Sequence, residues 1–96
     1  MFVAVYRWRV KTGREDEFAH AWARVTVMVR SACGSGGSAL FRGDDGTYTA
    51  IARWPDRETR DRCSAAIDAD LARMKECVDE RFPEQRLDCV TNLWDS

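Results

Sequence analysis

The 96-residue sequence contains no apolar run near the ~18–20 residues that span a bilayer, so a membrane-embedded chain is not expected. It has a formal net charge of −1, with 15 basic against 16 acidic residues, which excludes a broad electrostatic grip on nucleic acid. Histidine is scarce: His20 is the only one, and hence the only side chain that titrates near neutrality without help. Its place between Phe18 and Ala21/Trp22 reads as a partly exposed helix position, and no Ser-His-Asp or Cys-His arrangement can be argued from spacing. Close C-x-x-C spacing is also missing among Cys33, Cys63, Cys77 and Cys89, so a zinc site is not expected. The chain opens directly on a strand-like segment, without the basic stretch, apolar stretch and cleavage site of a secretory signal. A cytoplasmic location and reduced cysteines, acting as small buried hydrophobes, are therefore expected.

What is present is a foldable composition. Hydrophobic residues make up 45% and charged residues 32%, too apolar for a disordered chain. The length suits one domain, 1–96, burying roughly 60–70% of its unfolded surface. Such a thin core leaves little room for an enclosed site unless a second copy helps.

Phe2–Val10 alternates Phe2, Ala4, Tyr6, Trp8, Val10 against Val3, Val5, Arg7, Arg9, which predicts a strand. Thr12-Gly13-Arg14-Glu15 fits a capping box, with Thr12 as N-cap. Phe18, Ala21, Trp22, Val25, Met28 and Val29 then recur at helical spacing up to a stop at Gly34. The stretch from Gly34 to Ser38 follows a helix and lacks Gly-Lys-Ser/Thr, so it is a flexible connection and not a phosphate loop. Ser38–Arg42 and Thr47–Trp54 flank Gly43-Asp44-Asp45-Gly46 as a hairpin that Pro55 terminates. Asp56 caps a short helical turn to about Arg62, and Cys63, Ile67, Leu71, Met74 and Val78 mark a second helix ending before Phe82-Pro83. Arg86–Trp94 alternates as a fourth strand.

The order β-α-β-β-α-β predicts an α+β, ferredoxin-like fold: a four-stranded antiparallel sheet with both helices on one face. The other face carries Val3, Val5 and Ile51 beside Arg7, Arg9 and Arg53. An apolar patch of this kind is best buried by a second sheet, so a homodimer through the open sheet face is expected, its arginines at the rim or paired with acids such as Asp88.

Three stretches resemble a known family: Tyr6 to Phe18, Gly46-Thr47-Tyr48-Thr49-Ala50, and Ala52-Arg53-Trp54-Pro55-Asp56-Arg57-Glu58. They are similar to the antibiotic biosynthesis monooxygenase domains, the dimeric α+β barrels. The resemblance implies a homodimer with a ligand cleft between sheet and helices in each subunit. It also implies oxidation of a small aromatic molecule by O2 with no metal or flavin, since the best-known members work without a cofactor. The haem-degrading branch is implied to need an asparagine on the first strand, a tryptophan ending the third and a histidine on the second helix. This sequence has Tyr6 and Trp54 at the first two positions and no histidine after His20; Cys63 is the one thiolate near the third.

Within that cleft Trp54, Tyr6 and Asn92 are the candidate catalytic residues, as hydrogen-bond donors to a substrate oxygen. Trp22, Tyr48 and Arg53 are candidate substrate-binding residues, two aromatics for a flat ring and a cation that would lower a phenol's pKa. Each aromatic equally suits an ordinary core, and Asn92 could face outward. The expected activity is a cofactor-independent monooxygenase on a phenol, anthrone or quinol-like ring. The alternative is a non-catalytic ligand-binding or structural homodimer, whose cleft its own aromatics would fill. A small-carbonyl isomerase is a third reading, with His20 as its only base.

Overall fold

A computed structural model describes residues 1–63 and 68–94. Among these the elements run β1 (Phe2–Val10), α1 (Glu15–Cys33), β2 (Ser38–Arg42), β3 (Thr47–Trp54), α2 (Arg57–Asp61), α3 (Asp68–Glu76), β4 (Val78–Arg81) and β5 (Gln85–Asp88). The sheet is antiparallel in the order β2-β3-β1-β4, and β5 also pairs with β1. This is the expected α+β, ferredoxin-like arrangement.

The first strand and the hairpin form at the predicted residues. Cross-strand pairs Trp8↔Tyr48, Tyr6↔Ala50, Ala4↔Ala52 and Phe2↔Trp54 put the even-numbered side chains on one face. Period-two patterning fixes this register, because a one-residue slip would turn Arg7, Arg9 and Arg53 inward. Gly46 sits at φ 82 in the hairpin turn, a conformation open to glycine. The Asp45 carboxylate accepts from the Thr47 N–H at 2.9 Å and closes that turn.

α1 ends as predicted, with Gly34 at φ 73 donating its N–H to the Arg30 carbonyl. Its start differs from expectation. The N-cap is Arg14 and no side chain caps the helix, because Lys11 to Arg14 form a turn in which the Arg14 N–H donates to the Lys11 carbonyl. Thr12 is thus two residues too early to cap. Glu15, Asp16 and Glu17 still place negative charge on the helix's positive end. α1 turns Phe18 and Ala21 into the core, while Met28 is exposed and Val29 packs inward in its place.

The second half departs most. α2 is capped as expected, the Asp56 carboxylate accepting from the Thr59 N–H at 2.8 Å. The following helix stops at Glu76, however, and Val78 opens a strand. Val78 lies four residues after Met74, so it fits a helical stripe as well as a strand start. Pairing with Val10 on the free edge of β1 decides between them. Of the predicted apolar stripe, Met74 is buried, Leu71 is 37% exposed and Ile67 lies outside the described residues.

The fourth strand position is also shifted. β4 pairs with Trp8–Val10 and β5 with Phe2–Val5, so the two together run along one edge of β1. The break falls at Phe82-Pro83-Glu84. The Phe82 N–H still donates to the Arg7 carbonyl at 3.0 Å, and Pro83 has no N–H to offer. Strand pairing ends at Phe2↔Asp88, so residues 90–94 have no β1 backbone opposite them. The strand predicted through Trp94 therefore stops at Asp88.

Two packed clusters form the core on the helical side. One gathers Trp8, Phe18, Ala21, Ala50, Met74 and Cys77; the other gathers Phe2, Ala4, Ala52 and Trp54. Phe18 meets Trp8 and Tyr48 edge-on at 5.1 and 5.8 Å between ring centroids. These are favourable aromatic geometries that fasten α1 to the sheet. No helix among the described residues is long and apolar enough to cross a membrane.

Candidate functional site

Tyr6 borders both core clusters, and a cavity of about 410 Å³ opens where they part. Its floor is the even-numbered sheet face, which supplies Tyr6, Trp8, Ala52 and Trp54. α1 contributes Trp22, Val25 and Val29 at helical spacing, and α3 contributes Leu71 and Met74. A cavity of this size, apolar-walled with a few polar groups, is the ordinary form of a small-molecule site. The aromatic side chains therefore line a space and do not fill it.

Trp54 closes β3 and is 4% exposed. Its indole Nε1 is buried, and no hydrogen-bond partner stands among the described residues. A buried donor left unmade costs about 1–3 kcal/mol, and buried polar atoms are normally paired. Trp54 lines the cavity, but its Nε1 exposes almost no surface there, so an acceptor on a ligand would reach it through a small shift of the ring.

Beside it lies an ionic group that the sequence pattern did not expose. α2 carries Arg60, whose Nε donates to the Tyr6 hydroxyl at 3.1 Å and whose Nη2 donates to Glu84 at 3.2 Å. The Arg60 guanidinium carbon stands 6.0 Å from the Trp54 ring centroid. Burial holds the Tyr6 phenol above its ordinary pKa of 10.0, with the Arg60 charge pulling the other way, so the hydroxyl keeps its proton at neutral pH. With Arg60 occupying its oxygen as donor, the Tyr6 O–H proton is turned elsewhere and can itself donate.

The predicted residues divide. Tyr6, Trp22 and Trp54 line the cavity. Tyr48 packs against Phe18 in the core, and Arg53 lies on the opposite sheet face, its guanidinium 5.7 Å from the Trp94 ring. Asn92 is exposed in the segment after β5, where its side-chain oxygen accepts from the Trp94 N–H at 2.9 Å. None of these three lines the cavity of this chain. Asp88, expected near the open-face arginines, is held instead by two hydrogen bonds from Arg57, at 3.1 and 2.9 Å.

The cysteine expectation also needs correction. Cys33, ending α1, is joined to Cys63, after α2, with Cα atoms 5.2 Å apart. The helical stripe hid this pairing, because the two residues meet only once both helices pack on the sheet. Cys63 also lines the cavity, and with its sulfur bonded it has no thiolate to offer haem iron. Cys77 is buried as a small hydrophobe, as expected.

Sequence comparison finds no matching family profile and no matching curated protein. Solved structures do match. The cofactor-independent oxygenase SnoaB from Streptomyces nogalater superimposes with a TM-score of 0.82 at 19% identity, covering 98% of this chain and 97% of that one. A protein from Bordetella bronchiseptica assigned to the antibiotic biosynthesis monooxygenases matches with a TM-score of 0.78 at 23% identity, over 94% and 97% of the two chains. An antibiotic biosynthesis monooxygenase matches at 0.78 and 17% identity, over 95% of this chain and all of that one. End to end, the chain has the fold of the antibiotic biosynthesis monooxygenases.

Proposed function

We propose that this chain is a cofactor-independent monooxygenase that oxidises a small phenol, anthrone or quinol-like ring with O2 in the helix–sheet cavity. The observation that carries the reading is the cavity itself, walled by Tyr6, Trp8, Trp22 and Trp54. The similarity in fold to an oxygenase that works without a cofactor supports it.

In this chemistry the substrate supplies the reactivity. An acidic C–H or O–H loses its proton, and the ring anion passes one electron to O2. The resulting radicals combine to a C–O bond, the peroxide anion so formed takes up the proton released in the first step, and loss of water leaves a new carbonyl and removes the second oxygen atom. The protein orients the ring, excludes water and stabilises negative charge on oxygen. Trp54 Nε1 and the Tyr6 hydroxyl are the donors for that oxygen, Arg60 fixes Tyr6, and Trp22 forms a wall for the ring.

The same reading includes a homodimer. Val3, Val5 and Ile51 are only partly buried on the open face; Leu87, the cross-strand partner of Val3, is 48% exposed, and Phe41, opposite Thr49 on the same face, is 53% exposed. Covering this surface with a second copy removes it from water.

Oxygen uptake tests the activity. With a panel of anthrones, naphthols and quinols, the purified protein should consume O2 above the spontaneous rate for at least one class. Binding of these rings without uptake across the panel would favour the non-catalytic ligand-binding module.

A further inference from the structure

The chain as a whole is nearly neutral, but its cavity is not. Three cationic side chains line it, Arg60, Lys75 and Arg81, and no aspartate or glutamate does so among the described residues. Lys75 and Arg81 are exposed and mark the solvent side, whereas Arg60 is drawn inward between Tyr6 and Trp54. Arg60 already shows which chemistry it accepts. Its Nη2 binds a carboxylate, that of Glu84, and its Nε a phenolic oxygen, that of Tyr6. Its remaining nitrogen, Nη1, makes no hydrogen bond to the described residues. Arg86 reaches Glu84 at 3.8 Å and holds Asp61 at 2.8 Å, so this group balances two cations with two anions, and the excess positive charge of the cavity lining comes from Lys75 and Arg81. A guanidinium keeps its charge at any working pH, and a half-desolvated one with a free N–H edge favours an anion over a neutral isostere.

We propose that the cavity selects an aromatic substrate bearing a carboxylate, with Arg60 Nη1 as the specificity-determining donor and Lys75 and Arg81 steering the anion to the entrance. This rests on the cavity being the ligand site of the function proposed above. It adds the charge of the ligand, which a flat aromatic wall alone leaves open. A carboxylate on Arg60 leaves Trp54 Nε1 for the ring oxygen on which charge develops, so the two donors read different groups of one molecule.

The test uses a matched probe pair, anthraquinone-2-carboxylate and anthraquinone-2-carboxamide, titrated against the intact protein by quenching of tryptophan fluorescence. A charge-assisted hydrogen bond is worth about 1.5–3 kcal/mol, so the carboxylate should bind about tenfold or more tightly. Arg60→Gln should bring the ratio of carboxylate to carboxamide affinity to within about twofold of one, the ratio being the readout because Arg60 also holds Tyr6. Arg60→Lys retains the charge without the fork and should keep part of the preference. If Arg60→Gln does not fold, the lysine variant decides, and an undiminished preference there overturns the assignment. Equal affinity of the two probes for the wild-type protein overturns the inference and leaves the oxygenase reading standing. Failure of both probes to bind removes the inference and the ligand cavity together. Carboxylate-selective binding without any oxygen uptake upholds the inference and removes only the oxygenase reading.

Discussion

The Trp54 indole separates a structural role from a chemical one, because its ring and its N–H do different things. The ring fills the second core cluster, while the N–H is buried without a partner among the described residues. Trp54→Phe removes the donor and keeps most of the apolar contact. Loss of a donor to developing oxyanion charge should lower kcat about 10²-fold, by analogy with removal of one oxyanion-hole group. Thermal stability should hold or rise, since an unsatisfied donor no longer has to be buried. A fall in melting temperature with unchanged turnover would make Trp54 a core anchor only. Phe18 is the contrasting residue. It is fully buried against Trp8 and Tyr48 and does not line the cavity, so Phe18→Ala should cost about 3–5 kcal/mol in denaturant titration. At this scale the sequence placed Tyr6, Trp22 and Trp54 on the side where the cavity opens, because period-two and helical patterns assign faces. It hid Arg60, whose position on a short charged turn looks like any solvated arginine until the fold brings Tyr6, Trp54 and Glu84 to it.

At the scale of elements, the first half of the chain was legible because strong alternation and clear turn residues agree. The second half was not, because Val78–Arg81 carries one apolar residue and takes its strand form from the edge of β1. The alternation of Leu87, Cys89, Thr91 and Leu93 was real in the sequence, but only its first part has a strand to pair with. The Cys33–Cys63 bridge ties the end of α1 to the segment after α2 across 30 residues of sequence. Chain-entropy estimates give about 3–4 kcal/mol for a loop of that length. A Cys33→Ser/Cys63→Ser variant should therefore melt at lower temperature, and reductant should lower the wild type toward it. Equal melting under both conditions would mean that the bridge adds no stability. Acid acts on the surface ties. The Thr59 N–H holds the Asp56 carboxyl below its ordinary 3.8, and the Arg57 guanidinium does the same for Asp88. A depressed carboxylate pKa contributes stability above the unfolded value and loses it as pH falls through the folded one. Melting temperature should thus be flat from neutral pH to about pH 5 and decline below about 4. Asp56→Ala should weaken that decline.

For the whole molecule, the small size and the near-zero charge act together. One chain of 11.0 kDa makes a cavity with its helical side and leaves the other sheet face with Val3, Val5, Ile51, Phe41 and Leu87 only partly covered. Light scattering should therefore give about 22 kDa, twice the single-chain mass. Replacing Ile51 and Val5 together by lysine should shift it toward 11.0 kDa. Persistence of a dimer in that variant would place the interface elsewhere. The overall charge of −1 conceals a cavity lined by three cations, a distribution that composition alone could not display. The central claim is that a ring held there receives an oxygen atom from O2 without a cofactor. Reaction under ¹⁸O2 with mass analysis of the product measures that transfer directly. The account predicts one ¹⁸O atom in the oxidised ring and none when the label is supplied as water; a product labelled from water alone, or unlabelled under ¹⁸O2, would contradict it.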